Sequence, residues 1–185
     1  MMELITRSLS ALTLALVLAT SAVAGSLPGG AHATGGEASA GAELPLADRI
    51  LVRKAERRLY VFKGEEIIRS YRIALGLNPK GPKEREGDFR TPEGSYHLAR
   101  RNPRSDYFLS MEVSYPNDLD RERARRNRWQ PGGLIMIHGL PNTLKWPPDY
   151  YAKRDWTNGC IALSNSDMLE LWLITPDNVP IEIRP

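Results

Sequence analysis

The stretch RILVRKAERRLYVFKGEEIIRSYRIAL, residues 49–75, decides the fold class. RILVRK (49–54) and RLYVFK (58–63) are short runs rich in Ile, Leu, Val and Tyr, broken at Ala55-Glu56. Lys63-Gly64-Glu65 marks a second turn before EIIRSYRIAL (66–75). Runs of β-favouring residues punctuated by turn residues are the pattern of consecutive hairpin strands.

Further along, GSYHLAR (94–100) and YFLSMEVSY (107–115) read as additional strands, and VPIEIR (179–184) as a closing one. LIMIHG (134–139) begins a buried strand. Its alternation puts Leu134, Met136 and His138 on one face and Ile135 and Ile137 on the other. Two helices interrupt this. One has Asn117 as N-cap, Asp118 and Asp120 in its first turn, and Arg125 and Arg126 near its end, an order of charge that suits the helix dipole. With only Leu119 and Ala124 apolar, it is expected on the surface. The other, SNSDMLELWLIT (164–175), opens on a Ser164-x-x-Asp167 cap, repeats apolar residues at Met168, Leu171, Trp172 and Thr175, and stops at Pro176. The sum is a mainly β domain with a few short helices.

Between these elements lies GLNPKGPKEREGDFRTPEG (76–94), with three prolines and four glycines. A segment this long without regular structure, inside a compact domain, is a functional loop or a disordered one.

Upstream, the first 24 residues have the layout of a secretory signal: Arg7, an apolar run ALTLALVLA (11–19), and a small-x-small site at Ala22-Val23-Ala24. The run is shorter than the roughly 20 residues that span a bilayer. An uncleaved, anchoring signal would look much the same. Residues 25–45 are Gly, Ala and Ser with little to bury and read as a flexible linker, His32 being inert within it. Residues 46–185 are then one domain, exported to a periplasm or cell wall. The formal net charge of +3 is too small to argue for nucleic acid. Arginines concentrate in RRNPR (100–104) and RERARRNR (121–128). They read as a solvated helix face or as attraction toward an anionic wall, and lack the aromatic interleaving of RNA binders.

The chain has one cysteine, Cys160. In an exported protein an unpaired cysteine is a buried apolar residue, an intermolecular bridge or a nucleophile. As a nucleophile it needs a base and oxyanion donors. His138, at a strand end, is the candidate base. An imidazolium beside it would depress the thiol pKa below its free value of about 8.5. The N–H groups of Gly159 and Cys160 are the candidate oxyanion hole. Asp155 is a candidate to orient His138 or a surface turn residue, and His97 is an ordinary sheet residue. No ligand spacing suggests a metal, and nothing suggests a nucleotide or organic cofactor.

From about residue 48 to 184 the chain resembles the catalytic domain of the L,D-transpeptidases. Thr91-Pro92-Glu93-Gly94, His138-Gly139 and Thr157-x-Gly159-Cys160 match the family pattern in order. The resemblance implies a β-sandwich-like fold and a substrate, the stem peptide of bacterial peptidoglycan. It implies that Cys160 attacks the carbonyl of the third stem residue and releases the terminal D-alanine. The thioester then passes to an amine on a neighbouring stem, forming a 3→3 cross-link. It also implies His138 as general base, with the Gly139 carbonyl holding the other ring nitrogen, and Arg90 and Thr91 near the cleft with Thr157, Asn158 and Arg154. The chain departs from the pattern twice: Asn158 stands where a histidine is usual, and Ala162 where an arginine is usual. Arg90 or Arg154 are the candidates to replace that charge. The departures leave open three readings: transfer to an amine, hydrolysis by an amidase or carboxypeptidase using the same thioester, and an inert wall-binding module. Oligomeric state is not legible.

Overall fold

The computed structural model describes residues 44–185, so the signal and most of the linker read from the sequence lie outside the described residues. Strands β1 (Arg49–Arg53), β2 (Arg58–Lys63) and β3 (Glu66–Arg72) follow one another as antiparallel neighbours, as the hairpin pattern predicts. β4 (Gly94–Ser105) and β5 (Phe108–Val113) form a second antiparallel pair. Then come α1 (Asp118–Arg126), β6 (Met136–His138), α2 (Pro148–Lys153), β7 (Ile161–Ala162), α3 (Asn165–Ile174) and β8 (Pro180–Arg184).

These strands make one curled sheet in the order β3-β2-β1-β8-β4-β5-β6-β7. The fold is mainly β, as the sequence predicts. Its curl is carried by β4, whose first residues, Gly94 to His97, pair with β8, while Leu98 to Ser105 pair with β5. Register shifts after Leu98 and Asn102 bend the strand through this hand-over. The last strand enters the middle of the sheet, parallel to β1 and antiparallel to β4.

Period-2 alternation directs Ile50, Val52, Leu59, Val61, Leu98, Met111, Ile137, Ile181 and Ile183 into one apolar core. α3 covers it with Met168, Leu171 and Ile174, each fully buried. Each contributes about 2 kcal/mol relative to exposure. Ser164 caps α3 by accepting from Asp167 N at 3.1 Å, as its sequence suggests. Trp172 is only partly buried, and the Arg101 guanidinium stacks over its ring at 4.0 Å. α1 has the expected Asn117 cap and closes a capping box with Asp120. That Asp120 is buried, accepting from the Tyr96 hydroxyl at 2.9 Å, ties this otherwise charged helix to the sheet.

Two expectations change. RRNPR is not on a helix face: it lies in β4, with Arg100 paired to Glu112 at 2.8 Å. The LIMIHG strand is shorter than its apolar run, because Leu134 has φ +53° and is exposed. α2 and β7 are too short for a periodic signal. Among the described residues no helix is long and apolar enough to cross a membrane.

Candidate functional site

β6 and β7 are parallel neighbours, with His138 opposite Ala162 and Ile137 opposite Ile161. Cys160 immediately precedes β7. Its half-buried thiol sits where the next ladder bond would form, accepting from Met136 N at 3.4 Å and reaching Leu134 O at 3.7 Å. Among the described hydrogen bonds the thiol has none to the imidazole.

His138 is 4% exposed. Tyr107 and Trp156 pack on its ring, with centroids at 4.6 and 5.6 Å. Its Nδ1 lies 2.7 Å from Gly139 O. A carbonyl only accepts, so Nδ1 carries the proton and Nε2 keeps its lone pair. Gly139 is itself pinned: its N–H lies 3.1 Å from Tyr107 O and 3.2 Å from Leu109 O. A Cβ there would come within 2.6 Å of Asn165 Oδ1 and 3.0 Å of Phe108 Cβ.

The electrostatics differ from the ion pair expected from the sequence. Burial pulls the His138 pKa down to about 4, against a smaller upward effect of the Gly139 carbonyl. Burial pushes the Cys160 thiol up, opposed by the Met136 N–H and the Lys83 charge. Both groups therefore rest neutral at neutral pH, since each would have to be charged without a close partner.

The turn before the thiol is braced by Thr157. Its hydroxyl donates to Cys160 O at 2.8 Å and accepts from Gly159 N at 3.1 Å. The Gly159 N–H is thus already engaged, and of the two expected oxyanion donors it is Cys160's own N–H that remains. Gly159 has φ +130°, and a Cβ would fall 2.7 Å from Arg90 O and 3.3 Å from Ile135 Cδ1. The 76–94 loop therefore lies directly on this turn, which only glycine permits.

Of the substrate-binding candidates, Asn158 lines the thiol's cleft and the others do not. That cleft, of about 370 Å³, is bounded by Lys83, Glu86, Gly132, Leu134, Asn158 and Cys160 among others. Thr91 is fully buried, its Oγ1 accepting from Gly76 N at 3.1 Å. Thr157 is buried beneath the turn. Arg90 turns toward Pro82 O (3.3 Å) and Glu84 (3.2 Å). Arg154 lies over the Tyr150 ring at 5.6 Å, in a separate depression with Arg57 and Asp155. Asp155 neither orients His138 nor sits free in a turn: it binds Arg57 at 2.7 Å and accepts from Leu75 N at 2.9 Å. His97 is an exposed β4 residue, as expected. Ala162 lines a different, apolar cavity of about 270 Å³ beside Trp156, Leu163 and Tyr151.

Sequence reasoning missed Lys83, Glu86 and the Gly132-Gly133 wall of the cleft. The 76–94 segment reads as a functional or a disordered loop, and nothing in its run of charges singles out Lys83. It also missed Lys54, which is buried in β1's exit and holds that loop through Gly81 O (2.7 Å), Thr91 O (2.9 Å) and Glu93 (2.8 Å). Among the described residues no three His, Cys, Asp or Glu side chains are grouped to hold a metal ion.

A curled, mainly β domain that carries a thiol just before β7 and a single-tautomer imidazole on the neighbouring β6 holds the side-chain types that cysteine acyl chemistry uses. Residues 47–183 match the family model for the YkuD L,D-transpeptidase catalytic domain, and the chain belongs to that family. It is 31% identical over 129 residues to YafK of Escherichia coli (strain K12), a provisionally named L,D-transpeptidase, covering 66% of this chain and 45% of that one. The helical cell shape determining protein Pgp2 of Campylobacter jejuni is similar in structure, with a TM-score of 0.55 and 29% identity, over 76% of this chain and 50% of that one. Bd1075 of Bdellovibrio bacteriovorus matches with a TM-score of 0.52 and 27% identity, over 76% and 51%. The chain spans about half the length of these relatives.

Proposed function

We propose that this is an exported cysteine L,D-transpeptidase of the periplasm or cell wall, acting on peptidoglycan stem peptides through a Cys160 thioester. The observation that carries the reading is the 2.7 Å contact between His138 Nδ1 and Gly139 O, which leaves Nε2 free to take a proton in a chain whose one cysteine immediately precedes the adjacent strand. Family membership supports it.

In the first half-reaction His138 Nε2 takes the thiol proton as Sγ attacks the carbonyl carbon of the third stem residue. The C–S bond forms, and the Cys160 N–H donates to the oxyanion. Collapse breaks the C–N bond, and the proton returns from His138 to the leaving D-alanine amine. In the second, an acceptor amine attacks the thioester, His138 takes its proton, and the regenerated thiol recovers it. The acceptor is a neighbouring stem, giving a 3→3 cross-link, or another wall amine. Among the described hydrogen bonds none joins Sγ to Nε2, so substrate must bring them together, and catalytic hydrogen bonds that are open in a free enzyme commonly close in this way. A role in cell shape follows if the cross-links are structural, in keeping with the name of the Campylobacter jejuni neighbour.

Water is the second acceptor to consider, favoured by the exposed polar rim of the cleft at Glu86 and Asn158. Incubating the protein with tetrapeptide-bearing muropeptides and weighing the products separates the two. Cross-linked dimers mean transfer, and trimmed monomers mean hydrolysis. Neither product, together with no acylation of Cys160, would overturn both and leave the inert wall-binding module.

A further inference from the structure

The loop 139–147, between β6 and α2, carries the indole of Trp146 in solvent, and the folding of the loop does not account for it. Pro141 and Pro147 restrict its backbone. Asn142 ties it down: its N–H donates to Asp106 O at 2.9 Å, its Nδ2 donates to Ser105 O at 2.9 Å, and its Oδ1 accepts from Phe108 N at 2.8 Å. Lys145 N donates to the Tyr151 hydroxyl at 3.1 Å. Trp146 takes no part in these bonds and is 57% exposed.

A run of aromatic rings leads from the imidazole to this indole. His138, Trp156, Tyr151, Tyr150 and Trp146 follow one another with neighbouring centroids 5.0 to 5.6 Å apart. Tyr107, 40% exposed, lies nearly parallel to Trp156, at 26° and 6.2 Å. Apart from the imidazole, these rings line one open depression of about 240 Å³, completed by Pro141, Thr143 and Lys145. It has no wall residue in common with the thiol's cleft, so one ligand can occupy both. No carboxylate lines it, and its polar groups are hydroxyls, one ammonium and an indole edge. The buried Nε1–H of Trp156 meets no acceptor among the described residues, and a buried donor left open in a cavity wall is a place for an acceptor that a ligand brings.

We infer that this depression binds an N-acetylated sugar ring of the glycan strand that carries the substrate stem. The inference rests on the function proposed above and adds a second subsite to it. A pyranose ring has an apolar face of C–H groups and a rim of hydroxyl and amide groups. Aromatic faces take the first, while Tyr and Thr hydroxyls, the Lys145 ammonium and the indole N–H bond the second. The volume is below the roughly 300–1,000 Å³ of sites for drug-sized ligands and suits a single ring. Three extended stem residues span about 10 Å, so a sugar on the outer rings leaves the third residue within reach of the imidazole.

The test has a binding arm and a turnover arm, each run on the wild type, Trp146→Ala and Trp146→Tyr. Being exposed, Trp146 can be replaced without emptying the core. In the first arm a stem-free tetramer of N-acetylglucosamine is titrated by calorimetry. In the second, a tetrapeptide carrying its amino-sugar disaccharide is compared with the same tetrapeptide alone. The wild type is expected to bind the tetramer and to take the sugar-bearing stem with a KM about tenfold lower, at similar kcat. Trp146→Ala should weaken tetramer binding by about tenfold and bring the two KM values together, whereas Trp146→Tyr, which keeps a ring face, retains most of the preference. A wild type indifferent to the sugar would overturn the inference, and so would tetramer binding as tight in Trp146→Ala as in the wild type. Equal losses on both stems in Trp146→Ala would mean a structural role and overturn it too. Turnover of neither stem, with tetramer binding that Trp146→Ala abolishes, would remove the proposed function and leave the sugar site standing.

Discussion

The Nδ1–H of His138 is committed to the carbonyl of the next residue, Gly139, across 2.7 Å. That bond does what a carboxylate does in a conventional triad, fixing tautomer and ring direction, but adds no negative charge. A buried imidazole without an anion beside it favours neutrality, which is why its pKa falls to about 4.

The acid limb of thiol acylation should therefore lie near pH 4, well below the ordinary histidine value. The rate at which a carbapenem acylates Cys160, followed by intact mass, is expected to be level from about pH 5.5 to 7.5 and to fall as His138 protonates near pH 4. An acid limb near pH 6.5 would mean that the imidazole is exposed or paired with a charge in solution.

The same shift has a consequence for stability. The folded pKa of His138 lies below the unfolded value of about 6.5, so between about pH 6.5 and 4 the unfolded chain binds more protons. The contribution is fully present above pH 6.5 and is lost as pH falls toward 4, by about 3 kcal/mol at most. Urea unfolding at pH 7 and pH 4.5 should show this slope in the wild type and a shallower one in His138→Gln.

How much of this was legible depends on whether a feature is local. The hairpins of 49–75 announce themselves because turn residues and β-branched residues alternate over short distances. The Asn117 and Ser164 caps are likewise readable within four residues. Thr91 and Thr157 have the right spacing in the motif, yet both face inward, because a hydroxyl beside a tight turn is the nearest acceptor for a backbone N–H. Lys54 and Lys83 were invisible: each is buried by residues distant in sequence or by a loop whose path no periodicity encodes. The neutral resting state of His138 was also hidden, since it depends on how Tyr107 and Trp156 close over the ring.

Cys160→Ser should remove acylation and leave the fold unchanged. The thiol's polar contacts are two long ones to backbone, at 3.4 and 3.7 Å, so the oxygen analogue fits with little rearrangement. The expected result is no carbapenem adduct and a thermal midpoint within about 2 °C of the wild type. Adduct formation in this variant would place the reactive nucleophile elsewhere.

Lys54→Met tests whether the 76–94 loop is held from beneath. The lysine amine satisfies Gly81 O, Thr91 O and Glu93 at once, and side-chain exposure is 3% for Lys54 and 17% for Glu93. Removing one partner of a buried pair costs about 3–5 kcal/mol, because it strands the other. Unfolding in urea should show a loss of that size, with Lys54→Met/Glu93→Gln recovering part of it. A loss under about 1 kcal/mol in the single variant would mean that water already screens the pair.

Gly159→Ala is expected to separate loop position from thiol chemistry least cleanly, and for that reason to be the most damaging small change in the site. The added methyl meets Arg90 O at 2.7 Å, a backbone atom that cannot swing aside, at a φ of +130° that L residues rarely adopt. Either the loop lifts from the turn or the turn rotates and carries Cys160 N–H out of line with the oxyanion. Strain and overpacking together cost about 2–4 kcal/mol, and misaligning the remaining oxyanion donor lowers acylation by about 10²-fold or more. Urea unfolding and the carbapenem acylation rate, measured on the same preparation, check both. A variant that keeps wild-type acylation would show that Cys160 N–H is not the donor on which the oxyanion depends.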